Sequence, residues 1–191
     1  MTPSQFQEIY NEALDILAEN LPEYLWYHSL EHTLYVFDRA IYIGKKEGVS
    51  NENLLLLKIA ALYHDMGFIN TQVEHEQESC KIAKANLKKY NLTSAEIQTI
   101  CGMITATKIP QKPKNHLEAI LADADLEYLG TTRFQEASDR LYKELKHFNP
   151  ALSKSKWNTI QKTFLTNHHY HTDFCKRYKT HRKHKNMEML N

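Results

Sequence analysis

Histidine and aspartate residues recur in three short segments that could hold a metal ion. In the first, His28 and His32 stand four residues apart. They would share one helical face, and this spacing can bring two imidazoles to one metal. Taken alone, the pair is better explained as two surface histidines beside Tyr27, because isolated motif matches are often false. The rest of the chain must decide between the two interpretations.

The second segment is a His64–Asp65 doublet at the end of an apolar stretch that begins near Ala60. Burying Asp65 there without a cation or a hydrogen-bond donor would cost several kcal/mol. Asp65 could instead turn the chain before Gly67. That explanation accounts for the aspartate but leaves His64 unexplained.

The third segment places Asp123 and Asp125 in an apolar helical stretch flanked by alanines. Alanine allows another element, or an ion, to approach closely. Residues two apart in a helix point about 200° apart around its axis. The two carboxylates therefore cannot share one exposed face, and at least one of them should point inward.

Together the three segments resemble the HD phosphohydrolase superfamily, which is named for its adjacent His–Asp pair. The family pattern is a histidine, then the doublet, then a distant aspartate, and here it extends over about residues 27–130. His32 begins a His-Thr-x-x-Val sequence that matches the family's first histidine, so we prefer His32 to His28. An Ala-Asp pair followed by an apolar residue resembles the family's last ligand. The resemblance implies these metal ligands: His32, His64, Asp65 and Asp125, with Asp123 as the alternative to Asp125.

The resemblance also implies an all-α bundle with a divalent metal in its core. Imidazoles and carboxylates form a mixed nitrogen and oxygen set that suits Mn, Fe, Mg, Co, Ni or Zn. Such a metal lowers the pKa of bound water and polarises a phosphoryl oxygen. The expected protein is a metal-dependent phosphohydrolase in which hydroxide attacks phosphorus in line and Asp65 orients it. Its expected substrate is a small phosphorylated metabolite or a nucleotide.

Other residues are candidates for accessory roles. Some superfamily members hold two metals, and His75, ten residues after Asp65, is the best candidate ligand for a second one, with His116 a weaker candidate. Otherwise His75 begins a helix, where Glu76 is favourably placed for the helix dipole. Lys108 precedes a proline-containing loop and is a candidate for binding substrate phosphate, although a lysine there is usually solvated.

Two other functions remain open. A two-iron oxygenase, as a minority of the superfamily is, would keep the fold and would need His75 and another histidine as ligands. A non-enzymatic, metal-stabilised module would instead bind an anionic partner through the basic C-terminal helix, at about residues 173–188. Binding of that kind would depend on salt if the partner were nucleic acid.

Helices must position these residues. With only 5 glycines and 5 prolines in 191 residues, the composition favours long helices over turn-rich β-structure. Capping residues and apolar spacing predict a helix from Pro3 and others at about 30–46, 52–65, 76–90, 94–107, 116–129, 133–147, 154–168 and 173–188. The helix at 52–65 is apolar nearly all round and should be central. We therefore expect one all-α domain of the HD type over residues 1–191, with the motif-bearing core at about 27–130 and C-terminal helices over 131–191.

Composition limits the partners. Lys and Arg number 24 and Asp and Glu number 23, so a net charge of +1 favours neither nucleic acid nor a membrane. Cys80, Cys101 and Cys175 include no CxxC pair, which argues against a disulfide framework or a thiolate zinc site. The N-terminus lacks a basic region before an apolar stretch, as a secretory signal would have, and the apolar run at 54–63 is too short to span a bilayer. We expect a cytoplasmic protein, whose oligomeric state stays open.

Overall fold

A computed structural model describes residues 1–190 of the chain. These residues form nine α-helices and, within that range, no β-strand. The helices are α1 (Pro3–Asn20), α2 (Leu30–Lys46), α3 (Asn51–Tyr63), α4 (His75–Leu87), α5 (Ser94–Ala106), α6 (His116–Asp125), α7 (Phe134–Phe148), α8 (Lys154–Asn167) and α9 (Asp173–Glu188). Short 3₁₀ helices follow α3, α4 and α6, at Met66–Ile69, Lys88–Tyr90 and Glu127–Gly130. The predicted all-α fold class is confirmed.

Capping side chains start most of the helices. The hydroxyl of Thr2 accepts a hydrogen bond from the Gln5 amide at 3.2 Å, and the hydroxyl of Thr93 accepts one from the Glu96 amide at 3.2 Å. Both pairs are complete capping boxes, in which the residue at the third helical position bonds back to the cap. The Ser50 hydroxyl caps α3 by accepting a hydrogen bond from the Asn53 amide at 3.3 Å. The predicted helix starts agree closely with the structure because these caps act locally.

Three helices end two or more residues earlier than the sequence predicts, and one of them, expected at about 76–90, ends at Leu87. The helix expected to reach Asp65 ends at Tyr63, and the helix expected to reach Leu129 ends at Asp125. After Asp65 the backbone packs directly on α4, where a Cβ atom at Gly67 would lie 2.0 Å from the carbonyl oxygen of His75. This close approach requires glycine and turns the chain away from the axis of α3.

Helix α3 lies at the centre of the main apolar core. Leu57, Ile59 and Leu62, which point in different directions around α3, are all fully buried. The helix packs against α1, α2, α5 and α6, as expected for a segment that is apolar nearly all round. Within residues 1–190, none of the helices combines the length and the apolar character that crossing a bilayer requires.

The C-terminal helices bury a second apolar cluster. Its residues come from the segment before α2, the segment after α6, and α7, α8 and the end of the described chain: Tyr27, Leu126, Tyr128, Leu129, Phe134, Leu165 and Leu190. The cluster packs α7 and α8 over the segment that follows Asp125. This packing encloses a cavity lined by residues of α7 and α8.

A buried lysine and a buried histidine join α8 to α9. Lys183 is 3% exposed, and its ammonium group donates to the carbonyl oxygens of Leu165, at 3.1 Å, and of His168. His168 directly follows α8, and its Nε2 atom is buried without a hydrogen-bond partner. Burial, helped by the charge of Lys183, lowers the pKa of His168 to about 3. The ring is therefore neutral in the folded protein near pH 5.

We expect the fold to lose stability as the pH falls below 6.5, the ordinary pKa of a histidine. Below that pH the unfolded chain binds a proton at His168, whereas the folded chain does not. A pKa held at about 3 lowers the free energy of unfolding by about 1.5 kcal/mol between pH 6.5 and 5. Urea unfolding at a series of pH values measures this slope, which His168→Gln should reduce. His184→Gln, at an exposed histidine of α9, should leave it unchanged, and equal slopes in the wild type and His168→Gln would contradict the assignment. Lys183, His169 and His171, which face His168, are retained in every variant.

Candidate metal centre and adjoining cavity

The side chains of His32, His64, Asp65 and Asp125 meet where α2, α3 and α6 come together. His32 lies in the first turn of α2, where the Ser29 cap fixes the start of the helix. His64 and Asp65 directly follow α3, and Asp125 is the last residue of α6. Each side chain is therefore held at a helix end, and the doublet lies where packing on α4 stops α3.

The nitrogen and oxygen atoms of this cluster of side chains lie close to one another. The Nε2 atoms of His32 and His64 are 3.4 Å apart. Asp65 Oδ2 lies 3.4 Å from the first and 3.2 Å from the second. Asp125 Oδ1 lies 3.2 Å from His32 Nε2 and 3.8 Å from His64 Nε2. Ligand atoms of His32, His64 and Asp125 all lie within 4.8 Å of one another, close enough to hold one metal ion.

The chemistry of this donor set fits a divalent cation. Asp65 Oδ2 is buried and has no hydrogen-bond donor, which is costly for a carboxylate oxygen unless a cation compensates it. His64 Nδ1 lies 2.8 Å from the carbonyl oxygen of Ala61 and donates to it. This bond leaves the lone pair of Nε2 directed at the cluster, which is the tautomer that a metal ligand requires.

The electrostatics of the cluster favour positive charge at its centre. Burial alone would lower the pKa of His32, but close contacts with the Asp125 and Asp65 carboxylates, and their negative charge, raise it to about 9. Burial would raise the pKa of Asp65, yet contacts with His64, His32 and His75 hold it well below its ordinary value. The Asp65 carboxylate is therefore ionised, and a proton or a metal ion can neutralise the cluster.

The two aspartates of the third segment have different surroundings. Asp125 reaches the cluster, whereas Asp123 is fully buried on another side of α6. The carboxylate of Asp123 accepts hydrogen bonds from the backbone amides of His171, at 2.9 Å, and Thr172, at 2.8 Å, and from the Thr172 hydroxyl at 2.6 Å. Both carboxylates point inward, but Asp123 is fully engaged in anchoring the start of α9.

His28 lies beside the cluster rather than in it. Its Nδ1 atom is 2.5 Å from Glu144 Oε1, and the other oxygen of Glu144 accepts the backbone amides of Tyr27, at 2.9 Å, and His28, at 3.1 Å. Glu144 is 2% exposed and belongs to α7. It therefore ties the segment before α2 to the C-terminal helices, a role that no sequence motif indicated.

The accessory candidates fall at different distances from the cluster. His75 Nε2 lies 3.5 Å from Asp65 Oδ1 and 3.5 Å from Glu76 Oε1, at the edge of the site. Lys108 pairs instead with Glu74 at 2.5 Å and does not line the cavity. The exposed ring of His116 is 2.9 Å from Glu47, and His116 lies at the opposite end of α6 from Asp125.

Basic residues of α9 are partly used inside the fold. Lys179 pairs with Glu127, which is 1% exposed and also accepts the hydroxyl of Tyr35. Lys183 is buried against α8, as described above. These two lysines have internal partners, so they are not part of a free basic surface.

A cavity of about 260 Å³ adjoins the cluster. Asp65, His75 and Asp125 lie at one end of it. The rest is mainly apolar, with walls from α7, α8 and the segment after α6: Leu126, Leu129, Phe134, Leu141, Leu145, Trp157, Ile160, Phe164 and Leu165. Sequence reasoning did not identify these residues, because they carry no motif and α7 and α8 reach the cluster only through tertiary packing.

Comparisons with known proteins agree with this geometry. The sequence model of the HD domain matches residues 29–127, just over half of the chain. The chain therefore belongs to the HD-domain family, as the sequence predicted. Its fold is similar to that of a solved structure described as a predicted HD superfamily hydrolase from an uncultured Thermotogales bacterium, with a TM-score of 0.63 and 20% identity over 94% of this chain and 88% of that one. No curated protein matches the sequence.

Proposed function

We propose that this protein is a metal-dependent phosphohydrolase acting on a small phosphorylated metabolite or a nucleotide. The observation that carries the proposal is the buried Asp65 Oδ2, which has no hydrogen-bond donor and lies beside the Nε2 atoms of His32 and His64. Membership of the HD-domain family supports a metal at this point. The description of the solved relative as a hydrolase supports the reaction type.

In this proposal His32, His64, Asp65 and Asp125 hold a divalent ion at the inner end of the cavity. When bound, the ion supplies a Lewis acid for a phosphoryl oxygen and lowers the pKa of water. Asp65 Oδ1, on the side of the carboxylate near His75, accepts a hydrogen bond from the attacking water and orients it. The Ala61 carbonyl holds the His64 ring, and the apolar walls exclude bulk water from the reacting phosphate.

Elemental analysis of protein purified without chelator tests the metal, and phosphate release from nucleotides and phosphate esters tests the reaction. We expect about one divalent metal per chain and phosphate release that stops on chelation and returns when Mn²⁺ is added. A chain that binds no metal even with added Mn²⁺ would contradict the proposed metal centre. A metal-loaded chain that releases phosphate from none of the esters would overturn the phosphohydrolase but not the centre.

The position of His75 favours a second ion as a variant of this proposal. Asp65 Oδ2 faces His32 and His64, while its Oδ1 atom lies 3.5 Å from His75 Nε2. His75 and Glu76 would hold such a second ion together with Asp65. Two metals per chain in the wild type, and one in His75→Ala, would support the two-metal form of the proposal. Two irons together with substrate-dependent oxygen uptake would favour the two-iron oxygenase instead.

A further inference from the structure

We propose that the cavity beside the cluster binds the apolar alcohol part of a phosphate monoester, with the Gln161 amide as its polar contact. This inference rests on the proposed function, and it narrows the substrate class. In the reaction, water attacks phosphorus, the bond between phosphorus and the ester oxygen breaks, and the alcohol leaves with a proton. The released alcohol is the part of the substrate that the cavity would hold.

The distribution of polar and apolar groups along the cavity supports an amphiphilic substrate. The end that contains Asp65, Asp125 and His75 suits a phosphate held through the metal, whereas the opposite walls are aliphatic and aromatic. Leu165 and Trp157 are 1% and 4% exposed yet line the cavity, so its deep end is enclosed. Leu145 and Ile160, at 37% and 42%, lie on the exposed side and define its mouth.

The absence of cationic side chains argues against a long polyanionic substrate. No lysine or arginine lines this cavity within the part of the chain that the structure describes. Lys108, the nearest sequence candidate, is engaged by Glu74. A nucleoside triphosphate needs several positive groups beyond one metal, so a single phosphate on an uncharged body fits the lining better.

Gln161 indicates where the apolar body carries an acceptor. The residue is 6% exposed, and its Nε2 atom has no hydrogen-bond partner in the folded chain. It lines the cavity from α8, among Trp157, Phe164 and Leu165. A buried amide donor without a partner is unfavourable. An ether, carbonyl or hydroxyl oxygen of a bound molecule would satisfy it.

The size of the cavity sets the length of the group that it can hold. At about 30 Å³ for each small group, 260 Å³ has room for roughly eight or nine groups of methylene size. Ethyl, butyl, hexyl and octyl phosphates therefore form a suitable series. Each added methylene should raise kcat/KM for phosphate release about threefold, since each buries more apolar surface. A flat series with measurable phosphate release would overturn the apolar site and leave the phosphohydrolase standing.

A binding experiment without hydrolysis keeps the two proposals separate. Trp157 lines the cavity, so in a Trp26→Phe background its fluorescence should respond saturably to octanol, the product alcohol, and not to ethanol. Saturable octanol binding without phosphate release would support the apolar binding site and contradict the proposal that a phosphate ester is hydrolysed there. No response to octanol would overturn the site. The fluorescence response does not require a bound metal.

One substitution in the cavity wall and one control outside the lining test the position of the alcohol. Leu145→Gln at the mouth should lower kcat/KM for octyl phosphate about fivefold relative to ethyl phosphate. Phe148→Gln, three residues further along α7 and similarly exposed but outside the cavity lining, is the matched control and should keep the wild-type ratio. An unchanged ratio in Leu145→Gln would contradict the proposed position of the alcohol.

A third substitution tests Gln161. The 2-propoxyethyl and 4-methoxybutyl phosphates each replace one methylene of hexyl phosphate by an ether oxygen at a different depth. Gln161→Leu should lower kcat/KM for the better of the two about tenfold relative to hexyl phosphate, because a buried ether then loses its donor. Equal ratios in the wild type and Gln161→Leu would remove the amide from the proposed site.

Discussion

Replacing His64 with alanine is expected to remove the bound metal and to lower phosphate release by about a thousandfold or more, because the remaining groups cannot activate water near neutral pH. The Nε2 atom of His64 lies 3.2 Å from Asp65 Oδ2 and 3.4 Å from His32 Nε2, at the centre of the cluster. No other side chain of the cluster can take its place. Metal content by elemental analysis and kcat/KM for an ester that the wild type hydrolyses are the two measurements.

His116→Ala is the matched control for this variant. It makes the same chemical change at an exposed histidine whose ring contacts Glu47 rather than the cluster. Metal content and hydrolysis should both stay at the wild-type level. If the His64→Ala protein keeps both its metal and its rate of phosphate release, the proposed metal centre is contradicted. Circular dichroism of both variants verifies that the helices are retained.

Exchanging Asp123 and Asp125 for alanine one at a time is expected to separate stability from metal binding. Asp123→Ala leaves three donors of His171 and Thr172 buried without an acceptor. We expect it to lower the free energy of unfolding by about 3 kcal/mol. Asp125→Ala removes a candidate ligand that is not fully buried, so it should lose metal with a smaller change in metal-free stability.

Urea unfolding in the presence of chelator, together with elemental analysis of the folded protein, decides between the two aspartates. Asp123→Ala should be less stable and should retain about one metal per folded chain. Asp125→Ala should show the reverse pattern. Loss of metal in Asp123→Ala, with full retention in Asp125→Ala, would transfer the last ligand to Asp123.

Local chemistry explains why the helices could be predicted closely. Thr93 with Glu96, and Thr2 with Gln5, complete their capping boxes within one turn, so nothing distant is needed to start α1 or α5. The end of α3 is different. It depends on α4 lying against Gly67, a contact between separate helices, and the prediction therefore extended that helix too far.

The candidate ligands could be proposed from sequence because each lies in a recognisable local pattern. The choice among neighbours could not be derived from spacing. His28 and His32 are four residues apart, yet Glu144 of α7 holds His28, while His32 faces the cluster. Asp123 and Asp125 are two residues apart, yet one anchors α9 and the other reaches the imidazoles. In both cases the partner that decides comes from a distant part of the chain.

The sequence by itself determined the helices, the apolar centre at α3 and the types of side chain available to a metal, because propensity, capping and periodicity act over a few residues. Only the tertiary structure decided which histidine and which aspartate meet, and that α7 and α8 enclose an apolar cavity with Gln161 inside it. These outcomes depend on contacts between parts of the chain that lie from 49 to 117 residues apart in sequence. Such packing is set by the shapes of whole surfaces, and no short motif encodes it.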